Sequence, residues 1–238
     1  MPFRLKRRAA PRTWPIPRKG LKWVQRPAPG PHGQEESIPV VMVLRDLLHL
    51  ANSAREAQVL LREGHVQIDG KVVKDKARGV GLMDVVSIAA PVGKDYRVLK
   101  DRHGRLTLVP IPAAEAKMKL GRVRFKHTVA GGKIALTLHD GRNILVAAPT
   151  EVKVGDTLRV EVPAQKVLQR IALTGGALAY ISGGSHVGEL ARVEKVEVIP
   201  SSQPNRVHFK EGFVTVKDYV FIVGTDTPLV QLPGGLSQ

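Results

Sequence analysis

The basic side chains between residues 53 and 78 are the groups in this sequence most suited to binding a partner. Arg55 and Arg62 are seven residues apart, so they share one face of a helix that has 3.6 residues per turn. Glu56 and Glu63 share nearly the opposite face. Further cations follow along the chain: Lys71, Lys74, Lys76 and Arg78. Guanidinium and ammonium groups gathered on one side bind phosphate, so this region predicts an anionic partner.

A capped helix must position the first of these cations. Ser53 can accept a hydrogen bond from the backbone three residues on, Glu56 can reach back, and Gly64 ends the helix. We expect this helix to pack against an earlier one, Val40 to Leu50. The contact would be made by apolar side chains on both helices: Val41, Leu44, Leu47, Leu48, Ala54, Ala57 and Leu61.

A tight hairpin is predicted directly after the helix. Val66 and Ile68 alternate with a polar residue, and Asp69-Gly70 is the strongest two-residue hairpin signal. The chain then returns through Val72-Val73. The pattern alone leaves open an ordinary helical hairpin whose cations are only solvated.

The first 36 residues form a segment of different composition. They contain seven prolines and only two acids, Glu35 and Glu36, against nine basic residues: Arg4, Lys6, Arg7, Arg8, Arg12, Arg18, Lys19, Lys22 and Arg26. Proline prevents long regular structure, so we predict an extended basic arm, residues 1–36, that becomes ordered only against a partner. Trp14 and Trp23 are the only tryptophans of the chain, and they would stack on bases or pack into a neighbouring protein. Folding back onto the arm's own domain is the alternative.

Composition limits the class of protein. The chain has 37 Lys and Arg against 21 Asp and Glu, a formal charge of +16 and a pI near 10.4, which fits an anionic partner. No apolar run approaches the roughly 20 residues that span a bilayer. We expect no signal peptide, because prolines replace its apolar region, and we expect a cytoplasmic chain. The absence of cysteine excludes disulfides and thiolate metal sites.

Catalytic motifs are missing from the sequence. The eight histidines never pair at metal-ligand spacing, and no HExxH, Walker or nucleotide-binding glycine motif occurs. We therefore predict no cofactor, no metal, no small-molecule substrate and no enzymatic activity.

The fold class predicted from these patterns is α+β, mostly β, built from several small units. Residues 93–172 are predicted to form a central β domain resembling a barrel, with turns at Asp101 to Gly104, at Gly131-Gly132 and at Asp140-Gly141. One short helix is expected from Ala113 to Leu120. Basic loop residues of this domain could touch phosphate.

The region from Ile38 to Ile88, with REAQVLLREGHVQIDGKVV at its centre, resembles the αL RNA-binding module named after the fourth small-subunit ribosomal protein. In that family two helices and a hairpin clasp structured RNA. The resemblance implies a module over residues 37–92. It also implies an RNA-contact set: Arg45, Arg55, Arg62, His65 and Lys71.

A second resemblance lies between Gly175 and Lys210, within a predicted domain of residues 173–238 that also contains the C-terminal strands. TGGALAYISGGSHVGELARVEKVEVIPSSQPNRVHFK is similar to a KOW element, in which strands around a glycine-bearing loop build an SH3-like barrel. This resemblance implies that Ser185, His186 and Arg192 lie exposed near RNA.

The order of arm, αL module, central domain and KOW element resembles the small-subunit ribosomal protein four-e family of archaea and eukaryotes, and the length favours archaea. The resemblance implies a structural constituent of the small subunit that binds ribosomal RNA beside neighbouring ribosomal proteins, without a membrane or a homo-oligomer. The alternatives are a ribosome assembly factor, an accessory of an RNA-modifying enzyme, or a KOW-type transcription or translation factor. Pseudouridine synthases with such a module place aspartate after Gly-Arg-Leu, whereas Thr107 follows Gly104-Arg105-Leu106 here.

Overall fold

A computed structural model describes residues 4–89 and 92–232, and it is mostly β with few helices. The chain divides into two compact units, Met1–Lys119 and Leu120–Gln238. Every helix in the described ranges is too short or too polar to cross a bilayer. Each unit is built around antiparallel sheets.

The N-terminal segment is folded, which corrects the prediction of an extended arm. Its strands β1 (Arg4–Lys6) and β2 (Trp23–Gln25) pair antiparallel. The apolar residues between the prolines enter the core of the first unit: Ala10, Trp14, Ile16 and Val24. Because proline has no N–H, other donors must satisfy the carbonyls here, and the Arg18 guanidinium donates to the carbonyls of Ala10 and Pro11. The prolines thus prevent long helices in this segment, but they do not prevent the burial of the apolar side chains between them.

The helix pair differs in part from the prediction. After β3 (Ser37–Pro39) comes α1 (Val40–Met42), followed by a π-helical turn over Val43–Leu47. Then α2 (Ala54–Arg62) begins after Ser53, as predicted. Ala57 and Leu61 of α2 are fully buried, as is Leu44, but Ala54 is exposed. The apolar stripe on α2 is therefore narrower than the sequence indicates.

A five-stranded sheet completes the first unit in the spatial order β5, β4, β7, β8, β9. Its strands are β4 (Val66–Ile68), β5 (Lys71–Val72), β7 (Val85–Ile88), β8 (Lys94–Lys100) and β9 (Leu106–Ile111). A separate strand, β6 (Gly79–Gly81), pairs with β3. Because β7 pairs with β8, the domain boundary predicted between residues 92 and 93 falls inside one sheet.

The predicted helix after β9 is shorter than expected. It covers only α3 (Ala113–Ala116), and the chain then enters β10 (Met118–Thr128). Glu115 of α3 is buried and accepts from Arg97 Nε at 3.1 Å. From Met118 onward the long strand takes the backbone into the sheet of the second unit.

The second unit contains two five-stranded sheets, with spatial orders β12, β11, β10, β13, β14 and β18, β17, β16, β15, β19. The first consists of β10 with β11 (Ile134–Leu138), β12 (Asn143–Val146), β13 (Thr157–Glu161) and β14 (Val167–Ile171). The second consists of β15 (Leu178–Ile181), β16 (Leu190–Glu197), β17 (Arg206–Phe209), β18 (Val214–Val216) and β19 (Val220–Gly224). The predicted turns at Gly131-Gly132 and at Asp140-Gly141 lie between β10 and β11 and between β11 and β12.

Candidate nucleic-acid interface

The cap of α2 fixes the helix that carries Arg55 and Arg62. Ser53 Oγ accepts from Glu56 N at 3.2 Å, and Glu56 Oε2 accepts from Asn52 N at 2.8 Å. The hydrogen bond from the Asn52 backbone, followed by that from the Ser53 side chain, holds the pKa of Glu56 below its usual range. The cap therefore keeps a negative charge at the helix start, where the dipole favours it.

The turn after α2 brings the hairpin next to the helix end. Gly64 has φ +81°, which is the left-handed conformation that ends helices. A Cβ built on Gly64 would lie 3.6 Å from Val72 Cγ1, so the end of α2 is close to β5. Asp69 and Gly70 both have positive φ, as a two-residue hairpin turn of type I′ requires. Arg62 and Lys71 consequently belong to adjoining elements.

Four predicted contact residues of this module are exposed and unpaired. Within residues 4–89 and 92–232, none of them forms an ion pair with a carboxylate: Arg55, Arg62, Lys71 and Lys74. An exposed cation without a protein partner is available to phosphate. These four side chains form the surface that we call the module face.

Other predicted residues of the module are either paired with a carboxylate or half-buried. Arg45 Nη2 lies 2.7 Å from Asp46 Oδ2, and His65 Nε2 lies 3.3 Å from Glu63 Oε2. Lys76 and Arg78 are half-buried. These four groups are less available than those of the module face.

The cations of the N-terminal segment separate into exposed and buried groups. The exposed ones are Lys6, Arg8, Arg12, Lys19 and Lys22. Lys22 Nζ lies 5.5 Å from the centroid of Trp23, whose side chain is 43% exposed. Arg26 is half-buried and donates to Gln34 Oε1 at 3.2 Å. The Arg4 side chain lies outside the part of the chain that the structure describes.

Three predicted contacts in this segment are structural residues instead. Trp14 is 2% exposed and its Nε1 donates to Ser37 O at 2.7 Å, so its ring cannot stack on a base in this fold. Arg7 is 4% exposed and donates to Pro17 O at 2.9 Å. Arg18 is held by backbone carbonyls. Burying the large indole of Trp14 with its N–H satisfied stabilises the fold.

A cavity of about 530 Å³ lies between the N-terminal segment and the turn that joins β8 to β9. It is lined by Arg12, Trp14, Pro15, Ile16, Pro17, Arg18, His103 and Arg105, without any carboxylate. Asp101 faces the turn instead, where its Oδ1 accepts from the backbone N–H groups of His103 and Arg105 at 2.8 Å each. His103 and Arg105 were not predicted as contact residues, although their position in a basic turn was a usable signal.

The residues predicted in the KOW element have protein partners, with one exception. Ser185 is exposed. His186 stacks on Phe213 with ring centroids 4.0 Å apart, and its Nδ1 lies 3.0 Å from Glu189 Oε2. Arg192 Nη1 lies 3.7 Å from Asp226 Oδ1. A Cβ on Gly183 would lie 2.7 Å from Tyr219 Cδ1, so this turn requires glycine.

A buried charge cluster supports the hairpin from behind. Lys119 Nζ contacts Asp69 Oδ2 at 2.9 Å and also contacts Asp84, whose other oxygen lies 2.9 Å from His32 Nε2. Burial alone would raise the pKa of Asp84, but the charges of His32 and Lys119 hold it well below its usual range. Within the first unit the cluster joins the N-terminal segment, the hairpin turn and the start of β10, so it holds these three parts in place. Its members are far apart in sequence and gave no local signal.

Known proteins match nearly the full length of this chain. The profile described as "Ribosomal family S4e" matches residues 92–167, an "RS4NT" domain matches 3–35, and an "S4 domain" matches 39–86. Small ribosomal subunit protein eS4 of Methanothermobacter thermautotrophicus is 43% identical over 235 residues, covering 97% of this chain and 96% of the relative. This chain belongs to the S4e family. The S4e protein of Aeropyrum pernix is 41% identical over 243 residues, with 98% and 96% covered.

A solved S4e structure has the same fold. The crystal structure of 30S ribosomal protein S4e from Thermoplasma acidophilum superposes with a TM-score of 0.71 at 40% identity, covering 80% of this chain and 96% of that one. The resemblance inferred from the sequence is therefore confirmed. Membership of the S4e family also confirms the prediction that the chain is not an enzyme.

Proposed function

We propose that this protein is a structural component of the small ribosomal subunit and that its module face binds small-subunit ribosomal RNA. The observation that carries the proposal is the set of exposed, unpaired cations on α2, on the hairpin and directly after it: Arg55, Arg62, Lys71 and Lys74. A capped helix and a tight turn position the first three of them. These cations match the negative charge of the RNA phosphate backbone. Phosphate contacts position a protein on folded RNA by the shape of the RNA rather than by its sequence.

The N-terminal segment adds a second group of contacts in this proposal. Its exposed cations reach phosphate, and Trp23 is the indole that remains able to stack on a base. The carboxylate-free cavity beside Arg12 and Arg105 suits a phosphate group. The buried Arg7 and Trp14 and the half-buried Arg18 support this surface from below.

The remaining parts of the proposal rest on the resemblance and on the sheets. We assign residues 173–238 to an SH3-like KOW domain, which is supported by the sheet from β15 to β19 lying wholly within that range. Ser185 would reach RNA directly, whereas His186 and Arg192 would support the loop. Neighbouring ribosomal proteins are the expected protein partners, and the cytoplasm is the expected location.

The module face is tested by replacing Arg55 and Arg62 together with alanine. Both side chains are exposed, so we expect an unchanged urea-unfolding curve and weaker binding of an archaeal small-subunit rRNA transcript to the full chain in a filter-binding titration. Each lost phosphate contact should reduce the slope of log K against log salt by about 0.9. Lys153→Ala with Lys166→Ala removes the same charge from exposed positions of the second unit and is the control. Affinity equal to wild type in the Arg55 and Arg62 variant would remove the module face from the interface.

The ribosomal role is tested in cells by density-gradient fractionation with a high-salt wash. We expect the chain to remain with mature small subunits. Recovery only on immature particles would favour an assembly factor, and recovery as free protein would favour a transient factor.

A further inference from the structure

Strand β10 contains a bulge that turns an aromatic ring toward solvent. Val123 pairs with Leu138 while Phe125 pairs with Thr137, so two steps along β10 match one step along β11. Without the bulge Val123 and Phe125 would point to the same face, because side chains alternate with period two. Val123 is in the core, but Phe125 is 56% exposed. The bulge therefore re-aims an apolar side chain that the regular pattern would bury, a use to which bulges are often put near functional sites.

The sheet face that carries Phe125, which we call the outer face, carries a second exposed apolar side chain, that of Leu145. Residues directly opposite each other share a face, and the register aligns His127 with Ala135 and Ala135 with Leu145. His127 is exposed and Leu145 is 60% exposed. The opposite face holds Leu136 in the core. We call the surface made by Phe125, His127 and Leu145 the outer platform.

The positive charge around the outer platform favours a nucleic-acid partner over a protein partner. Residues 120–147 contain one acid, Asp140, against five cations: Arg122, Arg124, Lys126, Lys133 and Arg142. Asp140 is buried and lies 3.1 Å from Arg142. Arg124 and Lys133 are exposed, and Arg124 Cζ lies 5.3 Å from the Phe125 ring centroid. The cores of protein–protein interfaces are depleted in lysine, whereas aromatic rings within a cationic surface are typical of single-stranded nucleic-acid sites.

We propose that Phe125 stacks on an unpaired base of small-subunit ribosomal RNA, while Arg124 and Lys133 contact the phosphates beside it. The inference rests on the proposed function and deepens it, because it adds a stacking site in the unit that does not contain the S4 domain. Stacking tolerates any base, so the site selects an unpaired nucleotide by its exposure rather than by its identity.

The test compares three variants of the full chain in binding to an archaeal small-subunit rRNA transcript. Phe125→Ala and Phe125→Leu should each weaken binding about tenfold, since both lack a ring, and Phe125→Tyr should bind as wild type. Leu168→Ala is the control, because Leu168 is 48% exposed on β14, an edge strand of the same sheet and two strands away from β10. All four variants should keep the wild-type melting temperature, since every altered side chain is exposed.

Ultraviolet crosslinking supplies the second readout. On wild-type small subunits we expect Phe125 to crosslink to an RNA base, and a crosslink to a neighbouring protein instead would overturn the stacking site. Wild-type affinity in Phe125→Leu would also overturn it, because apolar burial would then explain the contact. If the wild-type chain binds the transcript but all Phe125 variants match it, only the stacking site fails. If the wild-type chain does not bind, the proposed function fails with it.

Discussion

At the scale of single residues, charge in this protein serves two purposes that the sequence cannot separate. Arg55 and Lys119 are both cations with acidic residues nearby. Glu56 follows Arg55 in the sequence, and two aspartates contact Lys119 in the fold. Arg55 lies exposed without a partner in the described residues, whereas Lys119 is buried between Asp69 and Asp84. Losing Arg55 should change binding, and losing Lys119 should change stability.

Replacing Lys119 with methionine should strongly destabilise the first unit. The substitution removes the cation that Asp69 and Asp84 share, and breaking a buried ion pair costs about 3–5 kcal/mol. Both tryptophans lie in this unit, so the urea unfolding curve followed by tryptophan fluorescence reports its free energy of unfolding. Lys117→Met, at an exposed position two residues earlier, is the control. Equal stability of the two variants would contradict a structural role for the cluster.

The lowered pKa of Asp84 predicts loss of stability in acid. An unfolded aspartate titrates near pH 3.9, whereas Asp84 in the fold stays ionised to lower pH because of His32 and Lys119. Below about pH 4 the unfolded chain therefore binds a proton that the folded chain does not, so acid favours unfolding. The stabilisation is complete above that pH and decreases progressively below it. The free energy of unfolding, measured with urea at pH 3 to 6, should depend less on pH in Asp84→Asn than in the wild-type chain. An identical pH dependence in the two proteins would refute this assignment.

At the scale of elements, local signals predicted the helix that carries the module face and its turn. Ser53, Glu56 and Gly64 act in the structure as the sequence indicated, because each works through a hydrogen bond or a backbone angle within its own turn. The earlier helix was predicted less well. Its pattern predicted one helix to Leu50, but it ends at Leu47 after a π-helical turn.

Removing the helix cap should cost a modest amount of stability. Ser53→Ala deletes the acceptor for Glu56 N, and such losses typically cost about 1 kcal/mol. The same fluorescence-detected urea unfolding measures the change. Asn52→Ala is a suitable control, because Asn52 contributes its backbone N–H and not its side chain to the cap. A loss in the control as large as in Ser53→Ala would show that the cap is not responsible.

At the scale of the whole molecule, the N-terminal segment is a part of the first unit and not an appendage. Its proline and charge content matches that of a disordered tail, yet Trp14, Ile16 and Val24 belong to the same core as Val40 and Leu61. The segment for which we propose RNA contacts on its outer side is therefore also expected to be required for folding.

Deleting residues 1–36 should destabilise the rest of the first unit. Loss of a buried tryptophan alone costs about 3–5 kcal/mol, and the deletion removes other core residues with it. Limited proteolysis should cut the truncated chain within residues 37–119 much faster than the full chain. Equal protease resistance would mean that the segment acts only as an RNA-binding tail. Cleavage within residues 120–238 is the internal comparison, because that unit keeps its own sheets.

The sequence by itself determined the family, the anionic partner class, the capped helix, the hairpin turn and most strands. These features depend on residue order, on composition or on contacts within a few positions, and all of these can be read directly from the sequence. It also predicted Arg55, Arg62 and Lys71 as candidate contacts, and they lie on exposed elements.

Only the tertiary structure decided which cations are free and which aromatic rings are buried. Trp14 and Trp23 have similar sequence surroundings, and only the packing of distant core residues places one inside and one outside. The cluster around Lys119 joins residues more than thirty positions apart. The bulge at Phe125 depends on the register with β11. Such features arise from pairing between distant segments, so a local sequence pattern does not predict them.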